Sequence, residues 1–158
     1  MTVVWRLDKA TRSQRDSFSG VGAAMEGGRW NRPGTRVVYA AQTLSLAAIE
    51  KFVHLGDESR PLSFVSYRIE IPTGVRMESI ELRDLPRDWK AVPAPRSTMD
   101  IGTDWAKEGR SAVLRLPSVV IETEHNVLLN PLHADFRRLH VTRPTPFRFD
   151  LRMRRIIS

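Results

Sequence analysis

The sequence predicts an α+β fold in a single domain covering residues 1–158. Three observations lead there. Short β-branched or alternating runs recur along the chain, at 2–7, 35–40, 62–71, 112–116 and 147–153. Only two stretches, 44–55 and 97–110, carry the composition and spacing of substantial helices. The chain has 158 residues, 41% hydrophobic and 27% charged, which suits one domain with its own core.

The first strand is expected at 2–7, with Arg6 near its end. Residues 8–18 are polar and rich in Arg and Ser and read as a loop or short helix. Residues 19–24 are small and glycine-rich and match neither GxxxxGK[ST] nor a GxGxxG that opens a helix. They lead into 27–50, GGRWNRPGTRVVYAAQTLSLAAIE, where the most unusual chemistry is concentrated. Gly27 and Gly28 precede Arg29, Trp30 and Asn31, and Pro33-Gly34 signals a turn. Residues 35–40 form a buried strand ending at Tyr39, and Thr43 caps a helix at 44–55. That helix has two apolar stripes: Leu44, Ala48, Phe52 and Leu55 on one side, Leu46, Ile49 and Val53 on the other. It is therefore expected to be sandwiched inside the fold.

Residues 62–71 alternate, with Val65, Tyr67, Ile69 and Ile71 on one face; Pro72 and Gly74 end the strand. One helical turn is expected within 77–85. The segment 84–96, with Pro86, Trp89, Pro93 and Pro95, is a loop. Ser97 is the expected cap of the helix at 97–110, which turns Ile101 and Trp105 to the core and stops at Gly109. A strand at 112–116 is expected to continue through 119–121. The tail, 147–153, alternates Phe147, Phe149, Leu151 and Met153 against Arg148, Asp150 and Arg152, and reads as a last strand. Its basic face either guards a sheet edge or contacts nucleic acid.

Composition excludes several chemistries. With no cysteine there are no disulfides, thiolate ligands or Cys nucleophile. No run approaches the ~20 apolar residues of a membrane span, and the first residues lack a signal-peptide core; cytoplasm is the expected compartment. Twenty-five basic against 18 acidic residues give +7, which favours a polyanionic ligand or an acidic partner without choosing between them. The Arg residues are spread along the chain with one cluster at the end, unlike a concentrated nucleic-acid patch. His125 and His133 fit no zinc spacing, so no metal site is expected.

Arg29, Tyr39 and Glu50 lie on three consecutive elements. A guanidinium after two glycines can approach a phosphate closely. A Tyr at a strand end offers a flat ring for stacking. A carboxylate beside them can stabilise a developing cation or orient a hydroxyl. The three together suit a nucleotide whose glycosidic bond breaks. The alternative is a core Tyr, a surface Arg and a Glu paired to Lys51 or a neighbouring Arg.

Taken with RLPSVVIETEHNVLLNPLH, the 27–50 segment resembles the RES domain of bacterial RES–Xre toxin–antitoxin pairs. The family's Arg, Glu and Ser match Arg29, Glu50 and Ser118; Tyr39 matches a fourth site position, and the NxLLNPxH block, Asn126 to His133, also matches. Residues 72–103 match loosely. The resemblance implies an ADP-ribosyltransferase-like mixed β core with surrounding helices and an NAD cleft. It implies a toxin that depletes NAD+ by hydrolysis or phosphorolysis, or a transferase that modifies a protein, and an Xre-type antitoxin whose tail blocks the cleft. NAD+ is then substrate, no cofactor is needed, and nucleic acid is met only through the antitoxin. Under this reading Arg29 grips the pyrophosphate, Tyr39 stacks on the nicotinamide or its ribose, and Glu50 stabilises the oxocarbenium-like centre. Ser118 hydrogen-bonds a phosphate or the ribose and is not a nucleophile, having no base placed beside it. Arg6 is a candidate for the cleft mouth. Asn126 and Asn130 either brace the NPxH turn or touch substrate, and Asn126 is carried as an NAD-binding candidate. The rival is a basic toxin that binds RNA or DNA without touching NAD.

Overall fold

A computed structural model describes residues 1–55 and 63–153. In chain order the elements are β1 (Thr2–Lys9), α1 (Gln14–Ser17), α2 (Val21–Glu26), β2 (Val38–Ala41), α3 (Leu44–His54), β3 (Phe64–Ile71), β4 (Met77–Ser79), α4 (Arg96–Glu108), β5 (Val113–Pro117), β6 (His125–Leu129), β7 (His140–Val141) and β8 (Thr145–Phe147). The strands make one sheet in the order β4-β5-β6-β2-β1-β3-β7, with β8 also on β3. The β4–β5 pair is parallel and the others are antiparallel, so the sheet is mixed. This is the expected α+β architecture.

The centre of the sheet is buried on both faces. Along β6, Val127 and Leu129 join one apolar cluster, with Val4, Val38, Tyr67 and Ile69, while Leu128 points into another, with Trp30, Trp105, Leu114 and Leu116. A period of two therefore feeds two cores. A third cluster lies under α3, where Leu46, Ala47 and Ala48 cover Leu7, Ala41 and Phe64. Thr43 caps α3 as expected, its hydroxyl oxygen accepting from the Leu46 N–H at 3.0 Å. The expected two-sided burial is not found. Val53, from the second stripe, is 43% exposed, because α3 packs one face on the sheet and turns the other toward a cavity.

Helix α4 holds the loop that carries Arg29. Thr98, Gly102, Thr103 and Trp105 form its buried face. A Cβ on Gly102 would collide with the backbone carbonyl of Trp30, so only glycine allows this approach. The Thr103 hydroxyl accepts from the Arg32 N–H at 2.9 Å, and Arg32 pairs with Asp100. Pro95, not Ser97, is the N-cap; the Ser97 hydroxyl instead donates to Asp88 at 2.7 Å, tying the helix start to the preceding loop.

Other expectations are corrected. β1 continues two residues past Leu7, and residues 19–24 run into α2. β2 starts later than residue 35 and ends at Ala41 rather than Tyr39. Met77–Ser79 pairs with β5, and the helical turn in that region is a 3-10 turn at Leu82–Asp84. β5 does not continue through 119–121, because the Ser118 hydroxyl accepts from the Val120 and Ile121 N–H groups and turns the chain toward β6. In the tail only Thr145–Phe147 pairs with β3. Asp150 accepts from the N–H groups of Arg152 and Met153 and closes a turn, while Phe149 packs among Phe52, Phe64 and Phe147 and leaves Leu151 80% exposed. Leu62 of the 62–71 strand, and the 56–61 connection, lie outside the described residues.

Replacing Gly102 with Ala is expected to cost about 1–3 kcal/mol, the usual range for overpacking, read as a lower urea midpoint. An unchanged midpoint would mean that α4 does not brace the Trp30 carbonyl.

Candidate active site

The backbone from Gly28 to Asn31 doubles back on itself. The Gly28 N–H donates to the Asn31 carbonyl at 3.0 Å and the Asn31 N–H returns a bond at 3.4 Å, leaving Arg29 and Trp30 at the tip. Asn31 is fully buried. Its Nδ2 donates to the carbonyls of Ala23, Arg32 and Thr35, and its Oδ1 accepts the Tyr39 hydroxyl proton at 2.6 Å. The same hydroxyl accepts from the Trp30 N–H at 3.2 Å. A Cβ on Gly28 would come within 2.5 Å of the Tyr39 oxygen, so glycine is required for the pin to form. Burial pushes the Tyr39 phenol well above its ordinary value of 10.0 and keeps it a neutral donor. The Trp30 side chain, 1% exposed, is wedged beneath the turn, and its indole N–H has no partner among the described residues.

Arg29 is held by one nitrogen. Its Nη1 donates to the carbonyls of Trp89 at 2.9 Å and Ala91 at 2.8 Å, in the loop before α4. Nε and Nη2 have no hydrogen-bond partner among the described residues. Burial lowers the guanidinium's pKa, and the charge of Glu50 opposes that shift. Glu50 is thus near enough for its charge to act on Arg29.

Glu50 stands on α3 and is clamped by the β5–β6 turn and by strand β6. Its Oε1 accepts from the Ser118 hydroxyl at 2.8 Å and from Asn126 Nδ2 at 3.1 Å, and Oε2 is uncommitted among the described residues. No ion pair of Glu50 to Lys51 or to an Arg is found among the described residues. Ser118 is fully buried and does not line the cavity, so the contact with phosphate or ribose expected of it is replaced by this bond to Glu50. Asn126, by contrast, lines the cavity as well as holding Glu50. The Thr43 hydroxyl donates to Glu124 Oε1 at 2.7 Å and draws the start of α3 to the same turn.

Arg29, Tyr39, Glu50, Asn126 and Arg6 all line one cavity of about 920 Å³, within the range of pockets that take small molecules and cofactors. Arg6 lies in its wall, but its guanidinium is spent on structure: Nε donates to the Ser17 hydroxyl, Nη1 to the Tyr39 carbonyl and Nη2 to Asp8. The two histidines lie elsewhere. His125 Nδ1 sits 3.2 Å from Arg115 Nη2 and 3.1 Å from Gln42 Oε1, and burial and Arg115 lower its pKa. His133 Nδ1 accepts from the Asp135 N–H. Asn130 braces the NPxH turn, accepting from the Leu132 N–H and donating to the Ala106 carbonyl. Sequence reasoning missed Asn31 as the partner of Tyr39, the 89–91 carbonyls, and Arg12 and Lys51 in the cavity wall. Lys51 had one signal, its place beside Glu50; the 89–91 carbonyls meet Arg29 only through contacts far apart in the chain.

A mixed sheet flanked by few helices, with these groups in one cleft, is the α+β ADP-ribosyltransferase-like class of fold. The likeness to the toxin–antitoxin complex of M. tuberculosis, MbcT–MbcA, supports this at a TM-score of 0.71, covering 93% of this chain and 84% of that one at 15% identity. Residues 3–150 match the RES domain, and the chain belongs to that family. The chain is 38% identical to the Prs ADP-ribosylating toxin of Sphingobium sp. (strain YBL2) over 156 residues, 96% of each protein. It is 40% identical to a protein named Toxin Res from Yersinia enterocolitica over 139 residues, 87% of this chain and 91% of that one.

Tyr39→Phe removes one bond and leaves Asn31 Oδ1 and the Trp30 N–H without their partner, so a loss of about 1–3 kcal/mol in unfolding free energy is expected. Its pH dependence carries a sign. The phenol's folded value lies above the unfolded value of 10.0, so its contribution is full below that pH and is lost as pH rises toward the folded value. The stability gap between parent and Tyr39→Phe in urea should therefore narrow above pH 10.0. A constant gap would mean that the hydroxyl is not buried and bonded as described.

Proposed function

We propose that this protein is the toxin of a toxin–antitoxin system and cleaves the nicotinamide–ribose bond of cytoplasmic NAD+. One observation carries the reading: Arg29, Tyr39 and Glu50, drawn from a turn, a strand and a helix, line the same cavity. The relatives named as toxins, and the neighbour solved in a toxin–antitoxin complex, support the toxin part. An Xre-type antitoxin is the partner that the family resemblance proposes.

In this reading Nε and Nη2 of Arg29 bind the pyrophosphate while Nη1 stays on its carbonyl cradle. The Tyr39 ring packs against the nicotinamide or its ribose, with its hydroxyl kept for the turn. The C1′–N bond breaks with its electron pair going to the pyridinium ring, which leaves as neutral nicotinamide. The free Oε2 of Glu50 faces the cationic C1′, while Ser118 and Asn126 hold Oε1 and fix the carboxylate. An oxygen of water or phosphate then bonds to C1′ and gives up its proton. No helix among the described residues is long and apolar enough to cross a membrane.

A second reading changes only the acceptor. The 38%-identical relative is named an ADP-ribosylating toxin, which favours transfer of ADP-ribose to a protein side chain.

Glu50→Gln keeps an oxygen for Ser118 and Asn126 and removes the charge. It is expected to lower the rate of nicotinamide release about 10²–10³-fold with little change in KM, measured by chromatography on protein whose circular dichroism matches the parent. Parent-like turnover would remove Glu50 from the mechanism. Arg29→Lys is expected to raise KM, because an ammonium cannot bond the carbonyl cradle and a phosphate in the guanidinium's fork geometry. With labelled NAD+, ADP-ribose in solution indicates hydrolysis or phosphorolysis; label on a protein band indicates transfer.

A further inference from the structure

Two segments of the cavity wall come from distant parts of the chain. One is the loop before α4, whose Val92, Pro93 and Ala94 line the cavity; the other is the β5–β6 turn, which contributes Val119 and Val120. Each also restrains one of the charged groups. The loop gives the Trp89 and Ala91 carbonyls to Arg29, and the turn gives the Ser118 hydroxyl to Glu50. The mechanism above uses these restraints separately, but one ion pair joins them.

Lys90 stands between the two carbonyls that hold Arg29, and its ammonium pairs with Glu122 of the β5–β6 turn. The same ammonium lies 5.5 Å from the centroid of the Trp89 ring, which is buried in the core beneath the loop. A cation held over an aromatic face samples fewer directions, so less freedom is lost when Lys90 pairs. Neither Lys90 nor Glu122 lines the cavity, so the pair leaves its interior free.

The two partners differ in stiffness. The turn is cross-braced: the Ser118 hydroxyl accepts from the Val120 and Ile121 N–H groups, the Ser118 N–H donates to the Glu124 carbonyl at 2.9 Å, and the Glu124 N–H donates to the Ile121 carbonyl at 2.9 Å. Glu122 therefore stands on a fixed frame. The loop is tied more loosely. The Trp89 and Ala91 N–H groups reach only the nearby carbonyls of Pro86 and Asp88. Beyond these neighbours, residues 89–94 have two polar partners among the described residues, Arg29 and Glu122. Burial anchors Trp89, but Val92 is 85% exposed, so packing does little to hold the Ala91 carbonyl between them.

We infer that Lys90 and Glu122 are positioning residues, whose ion pair straps the loop that holds Arg29 to the turn that holds Glu50. The contacts then close a ring: from Arg29 through the 89–91 carbonyls to Lys90, across to Glu122, and through the turn to Ser118 and Glu50. A half-exposed pair adds little to global stability. Its effect is local, on where the Ala91 carbonyl and the guanidinium bonded to it can sit. Because the turn is the stiff partner, loss of the pair loosens the Arg29 side and leaves Glu50 clamped. The part the strap plays in turnover rests on the NAD-cleaving reading; the strap itself does not.

The test compares the parent with Lys90→Gln, Glu122→Gln and the reversed pair, Lys90→Glu with Glu122→Lys, on the intact chain. Hydrogen exchange of backbone amides reads the strap without substrate. Exchange at 89–92 is expected to rise at least about fivefold in each single variant and to return to within about twofold of the parent in the reversed pair, with 118–124 and the urea midpoint little changed. Parent-like exchange at 89–92 in both single variants overturns the proposal, as does a reversed pair that exchanges as fast as they do. Steady-state nicotinamide release from NAD+ reads the positioning. The KM is expected to rise about three- to tenfold in the single variants with kcat within about twofold, and the same substitutions made in Arg29→Lys protein should move KM less than about twofold, because they act through the guanidinium. Equal increments of KM in both backgrounds overturn positioning through Arg29. A parent that releases no nicotinamide refutes NAD cleavage, and the exchange result alone then decides the strap.

Discussion

The hydroxyl of Tyr39 bonds Asn31 and the Trp30 N–H, and those two bonds determine where Arg29 can be. Without them the tight turn from Gly28 to Asn31 would have only its two backbone bonds, and an arginine at its tip would sample many directions. With them, the guanidinium is placed against the carbonyls of Trp89 and Ala91, in the wall of the cavity that Glu50 also lines. The constraint reaches outward. Gly28 must lack a side chain so that the phenol can approach, and Gly102 must lack one so that α4 can press on the Trp30 carbonyl. Tyr39 therefore has two separate places in the fold, in the wall of the cavity and, through its oxygen, in the turn that carries its neighbour.

Glu50 is arranged by the same logic. One carboxylate oxygen is held by two donors, Ser118 from the β5–β6 turn and Asn126 from β6, and the other is left open among the described residues. Fixing half of a charged group while leaving half available is a low-reorganisation way to stabilise a cation, because no donor has to rotate when charge develops. Ser118 achieves this from full burial. Its hydroxyl donates to Glu50 while its oxygen accepts two backbone N–H groups, so the same atom shapes the turn and aims the acid.

The fold class and the three cavity groups were legible in the sequence because each rests on local pattern: alternation in β3, the Thr43 cap, and glycines before Arg29. The supporting partners were not. Asn31 reads locally as one more polar residue in a turn, and only burial shows that it saturates four bonds. Ser118 was expected to contact a ligand and instead bonds Glu50, since nothing in one sequence says that α3 packs beside the β5–β6 turn. The tail misled because alternation continues past Phe147, whereas the Asp150 turn takes the chain off the sheet edge. Val53 misled because a helix apolar on two sides can border a hollow as well as a core.

The reactive groups come from residues 29 to 50, whereas their restraints, the carbonyls of Trp89 and Ala91, Ser118 and Asn126, come much later in the chain. During synthesis, then, the turn that carries the arginine can close before the carbonyls that hold its guanidinium and the donors that hold the glutamate have emerged. The wall of the cavity is complete only after the hairpin that ends in β6 has emerged and docked. The order of the chain therefore separates the synthesis of these two groups from their final fixing by β6 and the turn before it.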